Sequence, residues 1–139
     1  MKYILMMQFP LSLWKTQRLE LWPKQDAKAH MDFLKRFNQE LIDAGEFVRT
    51  EGLGGPEQMK IVRATKTGAA AITDGPFPES KDAIAGYWIL QVGSMDEAVE
   101  WAKRVPFEAL ARIYPGEYGA TGEVEIRRVF EPESFPPAT

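Results

Sequence analysis

The pattern of apolar residues predicts an α+β fold of the ferredoxin-like kind, a split βαβ sheet with an added β-hairpin. Two segments, Lys2 to Gln8 and Ala85 to Val92, are apolar on both alternating sets of residues, as strands covered on both sides are. Two others, Asp26 to Ala44 and the stretch from Met95, repeat apolar residues at helical spacing. Short alternating runs around Gly- and Pro-containing turns complete the order strand, helix, strand, hairpin, strand, helix, strand. With both helices on one face of the sheet, the other apolar face is expected to pack on a second copy about a two-fold axis.

Each element has a local reason. In the first strand Tyr3, Leu5 and Met7 alternate with Ile4 and Met6. Phe9 to Gln25, rich in Leu and Trp without clean periodicity, reads as a loop or short helical excursion. The first long helix carries His30, Phe33, Leu34, Phe37, Leu41 and Ala44 on one stripe and meets Gly45, where a left-handed C-cap belongs. Phe47 to Glu51 alternates as a strand and stops at Leu53-Gly54-Gly55-Pro56, which reads as a plain turn. Met59 to Thr65 and Ala69 to Thr73 flank Lys66-Thr67-Gly68 as a hairpin, and Asp74-Gly75-Pro76-Phe77-Pro78 follows as a stiff loop. Ser94 lies three residues ahead of Glu97, a capping-box spacing, and the helix it opens stops before Pro106. Glu123 to Val129 alternates as a half-exposed last strand.

A chain of 139 residues suits one domain, placed at 1–131, with 132–139 as a loose Pro-rich tail. The net charge of −3, with no clustering of basic residues, speaks against nucleic-acid binding. No run approaches the roughly 18 apolar residues of a membrane span, and the short apolar N-terminus reads as a strand rather than a leader. The absence of cysteine excludes disulfides and thiolate chemistry and suits a reducing compartment, so the cytoplasm is the expected location.

No phosphate loop, zinc spacing, nucleophile elbow or dinucleotide fingerprint is present; neither a metal nor a cofactor is expected. His30 is the one histidine and therefore the first candidate for acid–base work near neutrality; it reads equally as a packed structural histidine. Asp74 and Phe77, in the stiff Asp-Gly-Pro-Phe loop, read either as turn formers or as a carboxylate and a ring offered to a ligand. The tryptophans Trp14, Trp22, Trp88 and Trp101 suit an apolar pocket as well as they suit a core.

Met1-Lys2-Tyr3, Glu51-Gly52-Leu53, the hairpin, the run Thr73 to Lys81 around Asp-Gly-Pro-Phe, Gly86-Tyr87-Trp88-Ile89 and Asp96 to Ala102 together resemble the DGPF-domain branch of the YCII-related family. The resemblance covers most of the chain in order. It implies a dimeric α/β barrel, two ferredoxin-like sheets packed face to face. It also implies a His–Asp dyad in relatives that look like small-molecule enzymes. His30 falls at the histidine's place, whereas the aspartate's place ahead of Pro106-Phe107 holds Val105, which can neither orient nor charge-stabilise an imidazole.

Two functional expectations follow. The first is an uncharacterised small-molecule-binding or regulatory homodimer, with Phe77, Tyr87 and Trp88 against the ligand. The alternative is a cofactor-independent enzyme with lyase- or isomerase-like acid–base chemistry on a small organic substrate, using His30 with Asp74 as its orienter.

Overall fold

The structure, a computed structural model, describes residues 1–76, 80–106 and 122–134. Its main sheet has four strands: β1 (Lys2–Pro10), β2 (Phe47–Gly52), β5 (Asp82–Gln91) and β6 (Glu123–Arg128). Their order across the sheet is β2-β5-β1-β6, with every neighbouring pair antiparallel. β1 and β2 therefore run parallel with β5 between them, and β5 and β6 run parallel with β1 between them. These are the two interleaved split βαβ units that the residue pattern predicts. Helix α2 (Lys24–Asp43) makes the first crossover and α3 (Met95–Arg104) belongs to the second. Strands β3 (Lys60–Arg63) and β4 (Ala71–Asp74) pair as a separate two-stranded hairpin.

Alternation decides what goes inside. On β1 the residues Tyr3, Leu5, Met7 and Phe9 are buried, and on β5 the register sets Leu90 opposite Tyr3 and Trp88 opposite Leu5. This face receives Phe33, Phe37 and Leu41 from α2, together with Ala98 and Ala102 from α3 and Val105 just after it. Phe37 is fully buried and touches rings on three sides. It stacks on Phe33 with centroids 5.4 Å apart and meets the edges of Trp88 at 5.3 Å and Trp101 at 5.8 Å. The indole N–H groups of both tryptophans find acceptors at the rim of the core: Trp88 donates to Asn38 Oδ1 and Trp101 to Glu46 Oε2, each at 2.8 Å. The polar handles thus pin α2 to the sheet and the turn after it to α3, and neither indole donor is left unsatisfied.

The helix ends follow their residues. Gly45 takes φ +72°, the left-handed conformation that closes α2. Ser94 Oγ accepts from the Glu97 N–H at 3.3 Å, while the Glu97 carboxylate reaches back to the Gly93 N–H, one residue earlier than a standard capping box. The Leu- and Trp-rich segment after Phe9 resolves more finely than its sequence suggests. Phe9 and Pro10 complete β1, and then come a 3-10 turn at Leu11–Leu13, the short helix α1 (Trp14–Gln17) and another 3-10 turn at Leu19–Leu21. β5 begins at Asp82, three residues ahead of the expected Ala85. Of the tail, Pro132–Ser134 forms a 3-10 turn, and 135–139 lie outside the described residues. No helix among the described residues is long and apolar enough to cross a membrane.

The face away from the helices carries Ile4, Met6, Ile84, Tyr87 and Ile89 down its middle, with Arg49 and Glu51 on one edge strand and Glu123, Glu125 and Arg127 on the other. Replacing Phe37 by Ala, which empties a fully buried ring site, is expected to lower the unfolding free energy by about 3–5 kcal/mol. Ser94→Ala, which removes only a cap, is expected to cost about 1 kcal/mol. Urea unfolding followed by far-UV circular dichroism measures both, and similar losses for the two would contradict this account of the core.

Candidate functional site

A cavity of about 430 Å³ opens beside the core where β5, β2, the start of α2 and the segment after β1 converge. Its floor is made by missing side chains. Gly52 and Gly86 are register partners on β2 and β5, on the helix-facing side, and both line the cavity. A Cβ at Gly52 would meet nothing within 4 Å, whereas one at Gly86 would lie 3.0 Å from the Glu51 carbonyl oxygen. A side chain at Gly86 would thus crowd the neighbouring strand, whereas Gly52 leaves open space. A register shift on β1 between Met7 and Gln8 leaves Ala85 without a partner there, and its carbonyl accepts from the Leu53 N–H at 2.9 Å. Such a bulge bends the strand and increases its local twist.

The walls are rings. Phe9 and Trp14 meet edge to face at 5.6 Å, and Trp22 meets the His30 imidazole at 5.6 Å with the planes 67° apart. Trp22 is held by an N–H donated to the Gln17 carbonyl at 2.8 Å. Trp14 lies so close over the turn at Gly54-Gly55-Pro56 that a Cβ on Gly55 would sit 2.1 Å from its ring. The turn that sequence inspection assigns to chain reversal alone is therefore also the seat of one cavity wall. Leu34 and Met31 of α2, with Leu19 and Leu53, complete an apolar lining.

His30 is 8% exposed and projects from the start of α2 into this wall. Burial pushes its pKa down to about 4, because the imidazolium would lose hydration there. The imidazole is therefore neutral at neutral pH.

The remaining residues singled out by sequence fall in different places. Trp88 lines the cavity with its ring on the core side. Tyr87 also borders it, but strand alternation on β5 sends its side chain to the opposite face beside Ile89, so it meets the edge rather than the floor. Phe77 lies outside the described residues. Asp74 ends β4, is not part of the cavity wall, and has a side chain 81% exposed whose carboxylate pairs with Lys60 across the hairpin. The structure does not bring Asp74 into the wall that holds His30. Val105 is fully buried in the apolar core at the end of α3. Trp101 belongs to the core and not to the cavity. Among the described residues no group of three His, Asp or Glu side chains could hold a metal ion.

Fold and cavity together define a ferredoxin-like α+β protein with an aromatic-walled site beside a buried histidine. The family model of the YCII-related domain matches residues 1–131, and the chain belongs to that family. It is also similar to an uncharacterized protein of Rhizobium meliloti (strain 1021), 25% identical over 117 residues that span 83% of this chain and 86% of that one.

The low pKa of His30 makes a stability prediction. An unfolded histidine takes up its proton near pH 6.5, the folded one only near pH 4. Between these values the unfolded state binds the proton that the native state refuses, so stability falls as pH drops through the window, by on the order of 2 kcal/mol. Denaturant unfolding at pH 7 and pH 4.5 should show this loss in the native protein and a smaller one in His30→Gln; equal losses in both would place the imidazole in a far wetter setting.

Proposed function

We propose that the protein is a binder of small apolar molecules, acting as a homodimer, with the cavity beside His30 as its site. The observation that carries this reading is the cavity itself, a space of about 430 Å³ bounded by Phe9, Trp14, Trp22 and Trp88 and opened by the facing glycines Gly52 and Gly86. Its size falls in the range of small-ligand pockets, and its lining is mostly apolar with few polar groups, as such pockets are. The neutral probe N-phenyl-1-naphthylamine, whose emission rises in apolar surroundings, tests it. Saturable enhancement is expected for the native protein and its loss for Gly52→Leu, whose side chain would enter the open space while circular dichroism stays unchanged. No enhancement, or enhancement indifferent to Gly52→Leu, would remove this reading.

A catalytic reading draws on the presence of His30 in the same wall. Acid–base catalysis at neutral pH favours a group with a pKa near the working pH, and a histidine held near 4 is a poor proton acceptor under those conditions. Asp74, the expected orienter, pairs with Lys60 on the hairpin instead. The binding reading is therefore preferred to a lyase- or isomerase-like activity.

The dimer is supported by two apolar surfaces. One is the middle of the sheet's second face, where Ile84 is exposed and Ile4 and Ile89 are half-buried. The other is the hairpin, where Val62 and Ile72 are cross-strand partners 67% and 66% exposed. An isolated two-stranded hairpin is marginal in water, and burying this pair against another copy would stabilise it. Sedimentation velocity is expected to find a dimer that Ile89→Glu converts to a folded monomer; a native monomer at all concentrations would refute this part.

A further inference from the structure

We infer that the cavity selects against negative charge and that its ligand is an uncharged aromatic molecule. The inference rests on the binding reading above and adds the chemistry of the occupant. It comes from an inventory of donors and charges in the wall. Among the described residues no lysine or arginine lines the cavity; Glu20 does, and Glu51 borders it with a side chain that strand alternation sends to the opposite face. Each has an arginine beside it, Arg18 at 4.0 Å from Glu20 and Arg49 at 3.2 Å from Glu51, so neither guanidinium is offered to a ligand without breaking a pair. Arg18 is further committed to the carbonyl oxygens of Trp14 and Lys15. His30 is uncharged at neutral pH and adds no positive potential.

Four neutral donors of the wall are spent in the same way. The Trp22 and Trp88 indole N–H groups donate to Gln17 and Asn38, the Thr50 hydroxyl donates to the Tyr87 carbonyl at 2.9 Å, and the Leu53 N–H donates to the Ala85 carbonyl. A carboxylate, sulfonate or phosphate entering this space would shed its hydration and find no lysine or arginine among the described lining residues, with the Glu20 carboxylate at the rim, a loss that the groups named here do not offset. An uncharged ring sheds little hydration. It gains edge and face contacts with Phe9, Trp14 and Trp88, which favour aromatic over saturated partners through the ring quadrupole.

The test uses three probes on one ten-carbon bicyclic skeleton: 2-naphthol, 2-naphthoate and decahydro-2-naphthol, each titrated into the full chain at pH 7 by isothermal calorimetry. 2-Naphthol is expected to bind, with 2-naphthoate at least tenfold weaker and the saturated alcohol several-fold weaker. 2-Naphthoate binding as well as 2-naphthol would overturn the charge selection while leaving the cavity as a binding site. Equal binding of the saturated alcohol would overturn the aromatic preference. Failure of all three, in a protein that also ignores N-phenyl-1-naphthylamine, would overturn the binding reading and the inference with it. Gly52→Leu guards against surface binding, because it should abolish the 2-naphthol signal; a signal that survives it would place the binding elsewhere and overturn the inference.

Discussion

The seating of α2 on the β1–β5 pair is the contact on which the rest of the structure depends. Phe33, Phe37 and Leu41 occupy one stripe of the helix, and Leu5, Trp88 and Leu90 occupy the helix-facing side of the two central strands. Every one of these side chains is nearly or fully buried, so their removal from water supplies much of the drive that holds helix and sheet together. The hydrogen bond from Trp88 to Asn38 then sets the helix at one position along the strand. That position carries His30, two turns before Phe37 on the same stripe, past the end of the packed rings and into the cavity wall. The site is thus an overhang of the core, formed where the same helix continues beyond large side chains on the sheet.

The framework was readable from residues because it rests on period and capping. The 3.6-residue stripe of α2, the positive φ of Gly45 and the Ser94 cap are local consequences of local composition. The apolar double-sided strands β1 and β5 announced themselves as the centre of a sheet, which is where they lie. The extension of β5 back to Asp82 was not legible, since it depends on pairing with Pro10 and Phe9 across the sheet.

The candidate site was legible only in part, for a physical reason. His30 and Trp88 could be proposed from residue type. The facing of Gly52 with Gly86, the shift that frees Ala85 and the contact of Gly55 with Trp14 are all relations between segments far apart in the chain, and no window of sequence contains them. Asp74 shows the opposite failure. Its motif is conspicuous, yet a carboxylate at the end of a hairpin strand meets the lysine paired with it across the ladder before it meets anything more distant. A string of special residues marks a special backbone, and that is a separate matter from marking a site.

The paired glycines carry a consequence of their own. Because the cavity is opened by absent side chains where β2 meets β5, its volume depends in part on positions outside the cluster of buried rings, beside Phe9 and Trp88, which belong to both. A methyl or larger group at Gly52 alters what the space admits while leaving the seat of α2 untouched, whereas any change at Phe33 or Phe37 alters both. Cavity volume can therefore change at Gly52 without a change in the residues that seat the helix. In a chain of this framework, the shape of the cavity can be altered at a single edge-strand position without a compensating change under α2.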